Sequence, residues 1–471
     1  MKRFLLCLVV FAPILLEAQS LTMDQVVRLA QDSTIRAHMS ESYVEESRWE
    51  HEQFLALRRP QLTLSLTPGY QNMTFEPNNY FYKSRNYNMF NGLTELRLEQ
   101  KALGIGGEFY ASTGLLFTQY FNNTDPARLF STIPVGVGYS NDLISYNPFK
   151  WEKKLADLKL REANLEYVKS LGSIALEAVN LYVDCYVALS RYDICERNAE
   201  VAGTLLDIGR EKFNVASISK NELSALELQS LNAENTLFDA REQLESARSS
   251  LLSYLRMQDI GQTLDLTEPD IPEYRIFNTD DVLALAHDYN PDRVRSQAET
   301  VSAEQQVQKA KIQGRFLQSA IDLNVGLQST AAQFGNVYQG QKPFMVGSIT
   351  FKIPIYDGGL ARSRSNAARS AFEYASRAEQ ETLRDLDLQV SLALKQFNIQ
   401  QDLIKRTSKA LALADESFDL ARELYSEGET DINTFILAQN RKDEAHTNYL
   451  NSLRAYFKSL YTLKMLCGPE L

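Results

Sequence analysis

Hydrophobic and polar positions follow two periods along this chain, and the change between them marks its elements. In one long stretch Leu223, Leu226, Ser230, Ala233, Leu237, Ala240, Leu244, Ala247, Leu251 and Tyr254 are three and four apart without a break. Leu158, Leu165, Val168, Gly172, Ala175, Val179, Tyr182, Tyr186 and Leu189 keep the same register, with one miss at Arg161. Sustained heptads of this kind predict coiled-coil packing. Small residues in the seam imply close helix approach. At 1.5 Å per residue, 150–209 makes a rod of roughly 90 Å and 360–425 one of roughly 100 Å. Such rods cannot bury their faces inside one compact globule. They require one another and neighbouring copies.

Elsewhere the period drops to two. Leu62, Leu64 and Leu66 alternate with Thr63 and Ser65; Ile321, Leu323, Val325 and Leu327 alternate with Asp322, Asn324 and Gln328. Residues 133–140 and 347–353 alternate likewise. One apolar and one polar face fits a half-buried sheet, and equally a barrel with lipid outside and water inside. Taken alone this period favours the soluble sandwich; the N-terminus and the flanking helices shift it toward the barrel. Lys2 and Arg3 precede an apolar run, Phe4–Leu16, too short to span a bilayer, and Glu-Ala-Gln follows. Residues 1–19 therefore read as a secretory signal peptide, with Cys7 inside its apolar run. No other run of apolar residues is long enough for a transmembrane helix.

The pattern occurs twice. L-T-M-D-Q-V-V-R-L-A-Q-D-S (21–33) matches F-N-T-D-D-V-L-A-L-A-H-D-Y (277–289), with Thr22 and Asn278 as helix caps. G-R-E-K-F-N-V-A-S (209–217) matches A-R-E-L-Y-S-E-G-E (421–429). Between these points the first half holds about 44 extra residues. They fall in 72–132, rich in Asn, Tyr and Phe, and read as two more strands or a folded-over loop. The chain thus divides into a signal peptide, 1–19; a first repeat, 20–256, with a helix over 24–58, strands within 62–140, and helices 150–209 and 219–256; a connector, 257–279; and a second repeat, 280–467, with a helix over 280–315, strands within 318–353, and helices 359–426 and 431–466. Pro269 and Pro272 break helix in the connector.

Charge and composition narrow the chemistry. A net charge of −11 argues against nucleic acid as a partner. Cys185 and Cys195 would sit about 15 Å apart on one helix, too far for a disulfide. The four histidines, His38, His51, His287 and His446, are scattered without metal-site partners and read as helix-surface residues. Gly104–Gly107 is not a dinucleotide-binding loop, and neither a P-loop nor a nucleophile elbow is present. No cofactor, metal or catalytic set is expected, so the chain reads as no enzyme. The acids at 427–431 lack the spacing of a calcium loop.

F-K-I-P-I-Y-D-G-G-L-A-R-S-R-S-N-A-A-R (351–369) resembles the strand-to-helix junction of the TolC-like outer-membrane efflux proteins, with Pro354, Asp357, Gly358 and Gly359 at its turn. N-P-F-K-W-E (147–152) holds the equivalent place in the first half. The two tips, aromatic-x-x-Ala/Gly before a heptad helix, resemble the family's helix-turn-helix ends: Phe213, Ala216 and Ser219 in the first, Gly428 in the second. The resemblance covers essentially the whole mature chain. It implies an α+β membrane protein of duplicated sequence. On this resemblance three copies would close one outer-membrane β-barrel, continuous with a long periplasmic α-barrel. It implies a homotrimer, in contact with outer-membrane lipid, that docks a periplasmic adaptor (membrane fusion) protein and an inner-membrane pump of the RND, ABC or MFS class. Its function would be a passive exit duct for tripartite efflux or type I secretion. The alternatives are a coiled-coil adaptor or spacer without a pore, and a secreted hydrolase on a β scaffold. The family carries acids six and nine positions after the tip glycine, lining a narrow aperture. Glu222 stands six after Ala216; in the second tip those places hold Thr434 and Leu437, and the acids Glu427, Glu429 and Asp431 come earlier. These acids are aperture or adaptor-docking candidates.

Overall fold

A computed structural model describes residues 21–75, 85–121, 127–257, 266–315, 317–427, 429–430 and 432–470. The expected signal peptide, Gly428 and Asp431 lie outside the described residues. The chain forms two compact units. One takes its described residues from Met1–Tyr43, Asn164–Pro291 and Arg384–Leu471, the other from Val44–Ala163 and Asp292–Leu383.

The first unit is helical. It contains α1 (Met23–Ser33), α4 (Lys220–Leu255), α5 (Thr279–Tyr289) and α8 (Ile432–Cys467), with parts of α2 (Ile35–Ala56), α3 (Pro148–Asn214) and α7 (Leu360–Ser426). Thr22 caps α1 by a capping box with Gln25, and the Asn278 side chain accepts from the Asp280 amide at the start of α5. The matched residues Val26 and Val282, and Ala30 and Ala286, are all fully buried in one core. The helices expected over 24–58 and 280–315 are each interrupted. Thr34 turns extended and its hydroxyl accepts from the Ala37 amide. Asn290 is extended because Pro291, the first residue of α6 (Pro291–Gln313), disfavours helical backbone before it.

The heptad seam of α4 is observed, since each of its positions from Leu223 to Tyr254 is buried or half-buried while most of its neighbours are exposed. On α3 the outcome is wider than a seam. Ile174, Ala178, Val179 and Tyr182 are fully buried, enclosed with residues of α1, α4, α5, α7 and α8. By length and composition α3 could cross a membrane; its apolar middle serves as the centre of this core instead. A Cβ on Gly172 would lie 3.2 Å from the Met465 Cα, so α3 and α8 approach closely there. The Tyr182 hydroxyl reaches the carbonyls of Leu21 at 2.9 Å and Thr267 at 2.6 Å. Buried Gln401 donates to the Arg275 carbonyl at 3.0 Å and accepts from its amide at 3.3 Å. The connector backbone is thus held by side chains and by one parallel β-bridge between Leu21 and Leu266.

The second unit holds one six-stranded sheet in the order β1 (Gln61–Phe75), β2 (Arg85–Lys101), β3 (Glu108–Tyr120), β4 (Arg128–Asn141), β5 (Gln318–Ala331), β6 (Lys342–Lys352). Every neighbouring pair is antiparallel. The segment left open between strands and loop is strand: it forms β2 and β3. The register lines up one row across all six strands, Leu62, Leu98, Ala111, Val137, Val325 and Met345. Leu62 is 65% exposed and Met345 74%. The next row, on the opposite face, is Thr63, Arg97, Ser112, Gly136, Gly326 and Phe344. Arg97 pairs with Glu99 at 2.6 Å and Glu108 at 3.5 Å, and its guanidinium lies 3.9 Å from the Tyr110 ring centroid. Among the described residues β1 pairs only with β2 and β6 only with β5.

Tyr182→Phe removes the hydroxyl that two buried carbonyls share. Chemical denaturation should show a loss of about 1–2 kcal/mol with an unchanged denaturant slope.

Candidate functional site

The first tip follows α3. The Ala216 amide donates to the Phe213 carbonyl at 2.9 Å and the Ser217 amide to the Lys212 carbonyl at 2.8 Å. These are the two hydrogen bonds of a Schellman ending, which needs a left-handed residue between them. Ala216 supplies it, at φ +58°. The next helix is capped at once. Ser219 Oγ accepts from the Glu222 amide at 3.2 Å, and the Ser219 amide donates to Glu222 Oε2 at 2.7 Å. Glu222 is exposed, and its hydrogen bonds with Ser219 hold its carboxyl below the usual value. Its position three residues after Ser219 is therefore also what a capping box requires.

The second tip repeats the ending. The Glu429 amide donates to the Leu424 carbonyl at 2.9 Å, matching the bond from Ser217 to Lys212. Glu427 and Glu429 are exposed. Below the turns one apolar cluster joins them: Leu205, Leu206, Leu226 and Phe435, with Ile218 and Tyr425 against it. Tyr425 stacks on Phe435 with centroids 5.3 Å apart.

At the second strand-to-helix junction Gly358 and Gly359 take φ +62° and +86°. This backbone lets the Asp357 carboxylate accept from the Gly359 and Ala361 amides, both at 2.9 Å. Those bonds, the one from Ala361 foremost, lower its pKa. Pro354 precedes this turn, and Ile355 and Tyr356 beside it are almost fully exposed. The first junction reaches the same end differently. Asn147 accepts from the Phe149 amide at 3.1 Å and donates to the carbonyls of Leu103 and Gly104, while Pro148 opens α3. Asparagine before proline at a helix start was the available signal for this residue.

A second polar group went unnoticed in the sequence because it joins distant helices. Asn198 on α3 donates to Asp443 on α8 at 2.6 Å and accepts from Gln439 at 2.8 Å. A cavity lined by Cys195, Gln229, Asn232 and Thr236 adjoins it. Burial raises the Asp443 pKa, against the Asn198 hydrogen bond and Lys442. His446, one turn on, is lowered by burial, so it is not the surface residue expected. His287 and His51 pair with Asp387 and Asp157. Among the described residues no cluster of His, Cys, Asp and Glu could hold a metal.

The sheet, the long helices and the two turns can be compared with known proteins. Residues 283–469 match the sequence model of the outer membrane efflux protein family. The whole chain shares the fold of solved outer-membrane channels. It is 14% identical to CmeC of Campylobacter jejuni at a TM-score of 0.65, covering 95% of this chain and 85% of that one. It is 13% identical to VceC of Vibrio cholerae at 0.66, covering 95% and 96%. For the open state of MtrE from Neisseria gonorrhoeae the figures are 13%, 0.64, 95% and 89%. No curated protein matches. The resemblance read from the junction and tips is thus borne out. The matched family and these structures are channels, not enzymes.

Ala216→Gly should stabilise the first tip by about 1 kcal/mol, read as slower hydrogen exchange of the Ser217 amide. Asp443 has a folded pKa above its unfolded one, so its contribution is best when protonated and falls as pH rises from the ordinary carboxylate range through the raised value. Asp443→Asn should therefore raise the unfolding midpoint relative to the parent more at pH 7 than at pH 4.

Proposed function

We propose that this chain is the outer-membrane duct of an efflux or type I secretion assembly, a passive channel closed by three copies. The uncovered apolar row of the six-stranded sheet, flanked by two unpaired edge strands, carries this reading. In water each large exposed side chain forgoes roughly 1.5–3 kcal/mol of burial, and long bare edges invite aggregation. In lipid the same row is solvated, and backbone groups are satisfied only if the edges close on one another. Six alternating strands place β6 of one copy antiparallel to β1 of the next, so closure needs no change of direction.

Exposed apolar stripes on the long helices support the assembly. Leu388, Leu392, Ile399, Leu403, Leu413 and Leu420 run along α7, and Leu228, Leu231 and Phe238 along α4. Near-heptad stripes of this kind fit neighbouring copies. The helices would carry the duct through the periplasm, and the tips would meet an adaptor and an RND, ABC or MFS pump. Residues 1–19 would direct export, and the paired element order would descend from a duplication. An adaptor or spacer without a pore accounts for the stripes but not for the sheet. Glu222, Glu427, Gly428, Glu429 and Asp431 would border the aperture or the docking face.

Extraction from outer membranes should need detergent and yield a trimer; a soluble periplasmic monomer would overturn the proposal. Glu222→Gln with Asp431→Asn should weaken cation block of single-channel current, since three carboxylates around a narrow pore attract cations. Glutamine can still serve the capping box, so the change isolates charge from folding. Unchanged block would assign these acids to docking.

A further inference from the structure

We infer that β2 and β3 are a barrel-widening insertion, so that three copies close a barrel of eighteen strands with an open aqueous lumen. The inference rests on the proposed trimer and adds the size of its bore. The second half of the chain supplies one hairpin, β5–β6, whereas the first supplies four strands. The additional pair lies between β1 and β4, so direction along the sheet still alternates and nothing downstream is reversed. An even insertion is the kind a closed antiparallel barrel can accept. The new strands also keep the pattern of the others. Leu96 and Leu98 continue the apolar face of Leu62 and Leu64, while Glu95, Arg97, Glu99 and Glu108 lie on the polar face. A hairpin folded over outside the membrane has no reason to keep this match.

Barrel diameter grows roughly linearly with strand number. Barrels of about 8 strands are filled by their own side chains, and those of 16–18 leave a water-filled channel. Counting the hairpin, the barrel is about one and a half times as wide as one built from a single hairpin per half-chain. The side chains respect the bore. Tyr110 points to the polar face yet is only 7% exposed, because its ring lies flat on the wall beside Arg97. Gly138 makes this possible: a Cβ there would collide with the ring. The polar face is therefore a charged, tyrosine-lined wall rather than a plug. Exclusion by size is left to the tips, and the barrel accepts bulky solutes or extended polypeptide.

Single cysteines in the intact protein in vesicles test this. Leu96→Cys on β2 and Leu115→Cys on β3 should react with a lipid-phase maleimide several-fold more than Glu95→Cys and Ser112→Cys, which should react with a membrane-impermeant one. Met345→Cys on β6 is the control. Apart from Cys7 in the proposed signal peptide, the native thiols Cys185, Cys195 and Cys467 are buried, and burial raises Cys185 and Cys467 to about 11, so background is low. Electron cryomicroscopy of the trimer in nanodiscs should count eighteen strands. Water-phase labelling confined to β2 and β3, with Met345→Cys still in lipid, or a trimer barrel of twelve strands, overturns the insertion and spares the channel. Water-phase labelling at all five positions overturns both.

Discussion

The structure depends on where the backbone hydrogen bonds of β1 and β6 go. Among the described residues every other strand is paired on both sides, and these two are paired on one. A row of bare amides and carbonyls invites pairing with other chains in water and is costly in hydrocarbon. The apolar row that ends in Leu62 and Met345 lies on the same sheet. On the proposed reading both needs have one joint solution, closure with other copies inside lipid. Among the described residues the sheet is left with two open edges.

The helices meet the opposite difficulty. Each of α3 and α7 runs 67 residues, and each long helix leaves amides at its start and carbonyls at its end. The chain deals with these locally. Asp357 and Asn147 satisfy the starts beside the sheet, a pair of Schellman bonds completes the first ending, and the Glu429–Leu424 bond matches one of them at the second. Glu222 shows how one residue can be read twice. Its spacing from the turn fits an aperture acid, and its position three residues after Ser219 makes it the third residue of a capping box. Geometry establishes the second role; the first depends on neighbouring copies.

Inside the helical unit the central core is almost wholly apolar, and polar contacts sit at its margins. Tyr182 and Gln401 hold the connector backbone. The Asn198–Asp443–Gln439 group joins α3 to α8 closer to the tips. Such groups contribute less to affinity between helices than to register, because a slipped register leaves each of them without its partner.

Much was legible in the sequence because its causes are local. The caps at Thr22 and Asn278, the α4 seam and the strand alternation each follow from residues within one element, where backbone sterics and side-chain period suffice. Asp357-Gly-Gly was legible as a turn because only glycine accepts two successive positive φ values readily. The strand character of β2 and β3 was not, since strands with many polar and small residues resemble loops until their partners align them. Local sequence by itself determined the type and the two faces of the long helices and of β1, β4, β5 and β6. Only the tertiary structure decided that β2 and β3 enter the sheet, that six apolar positions form one row, that α3 is enclosed on several sides, and that two edges stay open. These depend on register between residues far apart in the chain, which no local period records.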